Sequence, residues 1–184
     1  MKKRIMSFLL VTAVILALVG CNAGNVAPTS ETPADSENAG MANPWTEVDD
    51  AQSAADGAGV GYFVVPETGE QAGMLIYIDM FRYMEGIAEA SGSVGAAELI
   101  IRKGLKQNGE DVSGDYHEYN YDWTFESKDG FVIKCYGNEE GKAMKTLWVS
   151  DNFSYSSYVM GQGDDSDTYG LSDEEIKYLV EEVQ

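Results

Sequence analysis

Asp115, His117, Glu118 and Asp122 fall within one short stretch, DYHEYNYDWTF (115–125), which holds the only histidine of the chain. An imidazole near carboxylates is the combination that serves general acid–base catalysis or a divalent metal. Either use requires the groups to converge. His117, Tyr119, Tyr121, Trp123 and Phe125 alternate with Tyr116, Glu118, Asn120, Asp122 and Thr124. On an extended strand His117 therefore points away from Glu118 and Asp122. There is no second histidine and no HxxH or HExxH spacing, so the reading assigns no catalytic residue, no metal site and no cofactor.

Three further candidates lead to the same place. Gly163–Gly170 (GDDSDTYG) invites a calcium loop, but counting from Asp165 or from Asp164 misplaces a ligand or the required glycine, so it reads as a solvated acidic loop. Ser154, Ser156 and Ser157 lie in no GxSxG or SxxK motif. Cys135 is in step with Phe131 and Ile133 and reads as a small core residue. The aromatic residues offer a different chemistry. Tyr119, Tyr121, Trp123, Trp148 and Tyr155, with Tyr158, could form a ligand or partner surface, for example a platform for sugar rings; the competing reading makes them the core beneath the helices.

The elements that position these residues are legible from periodicity. The alternation over 116–125 is that of a strand with one face covered, and Lys128-Asp129-Gly130 turns it back into Phe131–Tyr136. Lys142–Val149 and Phe153–Met160 form a second hairpin, completing an antiparallel meander. Tyr62–Val65, Met74–Asp79 and Ala97–Arg102 read as further strands, while 81–90 fits helix and strand alike. A short helix is expected over 46–55 with Thr46 as its cap. At the C-terminus Ser172 and Glu175 form a capping box, with Leu171 and Ile176 as a hydrophobic staple and Ile176, Leu179, Val180 and Val183 as the apolar stripe. The expected fold is α+β: a single antiparallel meander of about six or seven strands, with a short N-terminal and a C-terminal helix packed on one face.

The N-terminus supplies the address. Lys2, Lys3 and Arg4 precede an apolar run from Ile5 to Val19 that is too short for a stable span and suits a signal peptide. Leu18-Val19-Gly20-Cys21 has the form of a bacterial lipobox, so residues 1–20 read as a lipoprotein signal peptide and Cys21 as the lipidated residue. Residues 21–43 then form a tether rich in Ala, Asn, Ser, Thr and Pro, and 44–184 a single domain. The formal charge of −19 excludes nucleic acid as a partner and suits a domain held off an anionic membrane.

Asn43-Pro44-Trp45, Ile101-Arg102-Lys103-Gly104, the stretch DVSGDYHEY (111–119) and the ending GLSDEE (170–175) together resemble lipoproteins of Gram-positive, Clostridia-type bacteria that carry a domain of unknown function of the 4367 type. That resemblance implies sensing or partner binding outside the membrane and supplies no catalytic residues. The expected protein is a lipid-anchored, extracytoplasmic, non-enzymatic interaction or sensory module with an unknown protein or small-ligand partner. The alternative is a small-ligand or glycan binder using surface aromatics.

Overall fold

The computed structural model describes residues 43–163 and 166–184. Residues 1–42, which hold the expected signal peptide, Cys21 and the expected tether, lie outside the described residues, as do Asp164 and Asp165.

The fold is α+β. Strands β1 (Thr46–Val48), β2 (Gly69–Gln71), β3 (Met74–Met84), β4 (Ile87–Val94), β5 (Ala97–Leu105), β6 (Tyr121–Glu126), β7 (Val132–Gly137), β8 (Lys145–Ser150) and β9 (Phe153–Met160) form one antiparallel sheet. Its order is β1-β3-β4-β5-β9-β8-β7-β6, with β2 also on β3. Two meanders, β3–β5 and β6–β9, are thus sewn together by the pairing of β5 with β9. Helices α1 (Ala51–Ala58) and α2 (Asp173–Glu182) complete the fold.

The register gives the two faces of the sheet. One row runs Phe81, Ala90, Ile101, Ser157, Thr146, Cys135, Trp123. This face holds the core, together with Ala54, Ala55 and Ala58 of α1 and Ile176, Leu179 and Val180 of α2. The next row, on the opposite face, runs Arg82, Glu89, Arg102, Ser156, Leu147, Lys134, Thr124.

Several expectations are corrected. Thr46 begins a strand; α1 starts at Ala51, its cap is Asp50, which accepts from the Ser53 amide at 2.7 Å, and it ends at Gly59 in the left-handed region. Tyr62–Val65 is not a strand of the sheet: Val64 exchanges two backbone hydrogen bonds with Gln184 instead. The ambiguous segment 81–90 is a β-hairpin turning at Gly86. Its pattern was obscured by a bulge at Asp79, which moves the inward set from Met74, Ile76 and Ile78 to Phe81 and Tyr83. The strand expected from 116 begins only at Tyr121. The capping box at Ser172 forms as expected, with the Glu175 carboxylate accepting from the Ser172 amide at 2.7 Å.

Because β5 sits in the middle of the sheet and β6 at its far edge, the chain between them must cross β9, β8 and β7. Residues 106–120 make that crossing on the face away from the helices. They form a strap over the sheet that begins with a 3₁₀ turn at Lys106–Asn108. The Ser154 hydroxyl donates to the Gly109 carbonyl at 2.8 Å, Lys134 pairs with Glu110 at 3.0 Å, and Val112 lies against Gly104.

Candidate functional site

The strap is extended but has no ladder partner, so its backbone needs another source of hydrogen bonds. Its own side chains supply it. The Asp111 carboxylate accepts from the Ser113 amide at 2.9 Å and the Ser113 hydroxyl at 2.6 Å. That hydroxyl accepts from the Asp115 amide at 3.1 Å, and the Asp115 carboxylate from the His117 amide at 3.3 Å. Successive Asx and Ser turns at every second residue hold the segment open. Gly114 is required twice over: its φ is +67°, and a Cβ there would collide with the Arg102 guanidinium.

Asp115 is the centre of the site. Its side chain is 3% exposed, that of His117 74%. The His117 Nδ1 contacts Asp115 Oδ1, the Tyr119 hydroxyl donates to Oδ2 at 2.7 Å, and Lys145 Nζ approaches Oδ2 at 3.4 Å. Burial pushes the Asp115 carboxyl upward, but the Tyr119 hydroxyl, the His117 ring and amide and the Lys145 ammonium outweigh it and hold the carboxyl below its usual value. A carboxylate takes a proton from Nδ1 rather than offering one, so the imidazole is fixed with Nε2 turned away from Asp115. Burial and the Asp115 charge push the Tyr119 hydroxyl far above its ordinary range, so it stays a donor.

The separation of histidine and acids expected from strand geometry is therefore corrected for one acid. Asp115 and His117 are two residues apart on an extended segment and share a side; Glu118 and Asp122 stay apart from the pair. This is the orienting half of an acid–base dyad. The groups that could complete it lie elsewhere: Cys135 is buried on the helix face, its thiol pushed up to about 12 chiefly by burial, and Ser154, Ser156 and Ser157 are buried. Among the described residues no group of three or more His, Cys, Asp or Glu is placed to hold a metal ion.

Behind the strap is a second buried charge. Glu89 is fully buried and accepts from Arg82 Nε and Arg102 Nε, each at 2.6 Å. Both guanidiniums lie over the Trp45 ring, at 4.6 and 5.2 Å from its centre. Arg102 also donates to the Ser113 carbonyl, so Glu89 reaches the strap through one intermediary. Nothing in the sequence pattern marked Glu89. A lone acid inside Ala-Glu-Ala-Ser looks solvent-facing until the strands pair.

The aromatic candidates separate. Trp148 and Tyr155 are buried and stacked on one another at 5.3 Å, so those two are core rather than surface. Trp123 is half-buried on the helix face and donates to Asp173 at 2.9 Å. Tyr119 is half-buried against Asp115, and Tyr121 is exposed near the β6 edge. The exposed aromatic at the strap is a different one, Tyr116, 94% exposed; the candidate Tyr158 is half-buried on the sheet below, beside Met160. Two adjoining clefts lie here, of 450 Å³ bordered by Tyr116 and of 360 Å³ bordered by Glu118, with His117, Tyr158 and Met160 common to both. No family model, no curated protein and no solved structure matches the chain.

Proposed function

We propose that the chain is a lipid-anchored extracytoplasmic binding module, of the kind its resemblance to 4367-type lipoproteins implies, and that its binding surface is the strap and the sheet around it rather than the aromatics of the helix face. The observation that carries this is the strap itself. A buried carboxylate, the four donors around it and a buried Glu–Arg pair behind it fix the strap backbone and the exposed His117 ring, with Tyr116 carried on the backbone between Asp115 and His117. A connection that only had to reach β6 would have no need of so many buried polar groups, each of which costs desolvation before its partner offsets it. Rigid presentation of exposed side chains is what a binding surface requires, since little conformational freedom is then lost on association.

The lipobox reading supports a partner outside the cell, and the acidic composition disfavours anionic ones. The test is a photo-crosslinking amino acid in place of Tyr116, activated on intact cells. The reading expects a discrete adduct that the same amino acid in place of Gln52, on α1, does not give. Identical products from both positions, or adducts only between copies of this chain, would overturn it.

A further inference from the structure

The two clefts at His117 differ in character. The first is walled by Ile100, Tyr116, Tyr158 and Met160, largely apolar and aromatic. The second, sharing Tyr158 and Met160, is bordered by Glu118, Asn138, Ser166 and Asp167, which are mainly hydrogen-bond acceptors. Between them stands an imidazole whose Nδ1 is taken by a buried carboxylate, leaving Nε2 as an acceptor when the ring is neutral. At 450 and 360 Å³ each cleft has the size of a small-molecule site.

The charges decide among ligand classes. The cations nearest the clefts are engaged: Arg102 with Glu89 and the Ser113 carbonyl, Lys145 with Asp111 and the Asp115 backbone and side chain. An anion would find no counter-charge and would meet Glu118 and Asp167. A purely apolar ligand would bury those acceptors unpaired, which is costly. A hollow of similar size at the other end of the strap, 340 Å³ beside Phe131 and Leu147, is less suited, because its charged rim groups are Glu110 and Lys134, which pair with each other, and the cation Lys106, which leaves no free acceptor for sugar hydroxyls. A ligand with one apolar ring face and several hydroxyl donors uses both walls of the His117 site. Its C–H face covers Tyr116 or Tyr158, and its hydroxyls donate to His117 Nε2, Glu118 and Asp167.

We infer that the double cleft at His117 is a binding site for a neutral sugar ring, two linked rings spanning the pair of hollows. This rests on the reading of the strap as a binding surface and names its ligand class. The probes are cellobiose, maltose and diacetylchitobiose, with glucosamine as the cationic comparison, each added to the full chain up to about 10 mM, ten times a Kd of 1 mM, with backbone amide shifts as the readout. At least one disaccharide produces saturable shifts centred on 114–118 and 158–160. His117→Ala and Tyr116→Ala, both at exposed side chains, each weaken it about tenfold, the loss of one hydrogen bond or one stacking face, and Lys128→Ala does not. Absence of saturable shifts with all three, shifts centred elsewhere, or binding indifferent to both variants would overturn the inference. So would binding confined to glucosamine in its ammonium form, which would make the acidic wall a cation site. If the sugars fail while the Tyr116 crosslink still traps a specific partner, the ligand class is wrong and the binding surface stands.

Discussion

Glu89→Gln is the substitution whose effect follows most directly from the structure. The side chain keeps its shape and loses its charge. Two guanidiniums, with side chains 27% and 13% exposed, would then lack their counter-ion. Removing one partner of a buried ion pair costs about 3–5 kcal/mol, because the remaining charge stays desolvated. Arg82 can turn partly to water. Arg102 cannot, since it is the less exposed of the two and the Ser113 carbonyl holds it in place. The lower end, about 3 kcal/mol, is therefore expected, out of the roughly 5–15 kcal/mol typical of a domain. For a domain of this size that is a fall in Tm of about 10 °C. Urea unfolding at pH 7 measures it, with Lys128→Ala as control. The Lys128–Glu181 pair is equally short, at 2.5 Å, but exposed, and its loss should not register. Hydrogen exchange adds a second readout: the Asp115 and His117 amides should lose protection before the amides of β5, because Arg102 releases the strap first. A loss below about 1 kcal/mol, the size of a surface pair, would refute the argument that Glu89 anchors the strap.

Four further outcomes are expected. Asp115→Asn should cost about 1.5–3 kcal/mol, the range for hydrogen bonds to a charged group, and should also flatten the acid limb of the stability curve. The folded carboxyl lies below its usual value, so its contribution is complete above about pH 4 and is lost as pH falls through the folded value; chemical denaturation at a series of pH values from about 2 to about 7, which brackets that titration, measures it. Gly92→Ala should fall at or above the top of the roughly 1–3 kcal/mol range for overpacking, because the new Cβ meets the Tyr77 carbonyl at the bulge; thermal melts report it. Cys135 should resist thiol reagents in the folded protein and react once urea unfolds it, since it is fully buried with its thiol pushed up to about 12. Cys21→Ala should abolish incorporation of labelled fatty acid and release the domain from the membrane fraction, as the lipobox reading requires.

Local pattern was enough for several elements. The capping box and staple of α2 are contained within 171–176, and each of the hairpins β6–β7 and β8–β9 closes within one short turn, so neighbours in sequence decided them. The class, α+β on an antiparallel sheet, followed from those units. Where the chain's own geometry interrupts the period, pattern misled. One extra residue at Asp79 reverses which side chains face inward, so 81–90 carried neither a clean helix nor a clean strand signal. Thr46 offered a plausible cap, but pairing with Tyr83 on β3 drew it into the sheet.

The candidate site lay beyond local pattern for a related reason. Alternation in 115–125 says only that the chain is extended; a strand in a ladder and a strap above one share the same side-chain period. Which it is depends on where β6 docks, and that is set by β5 pairing with β9, from Leu105 with Phe153 to Glu98 with Met160, partners far apart in sequence. The same pairing brings Arg102 beneath Ser113 and Lys145 beneath Asp115. The sequence by itself determined the C-terminal helix, the two hairpins after residue 120, the acidic surface and the expectation of an anchored domain, because propensity, charge and short motifs are properties of neighbouring residues. Only the tertiary structure decided that Asp115 and His117 work together, that Trp148 and Tyr155 are core, and that Glu89 is buried, because burial and convergence arise when distant strands pair.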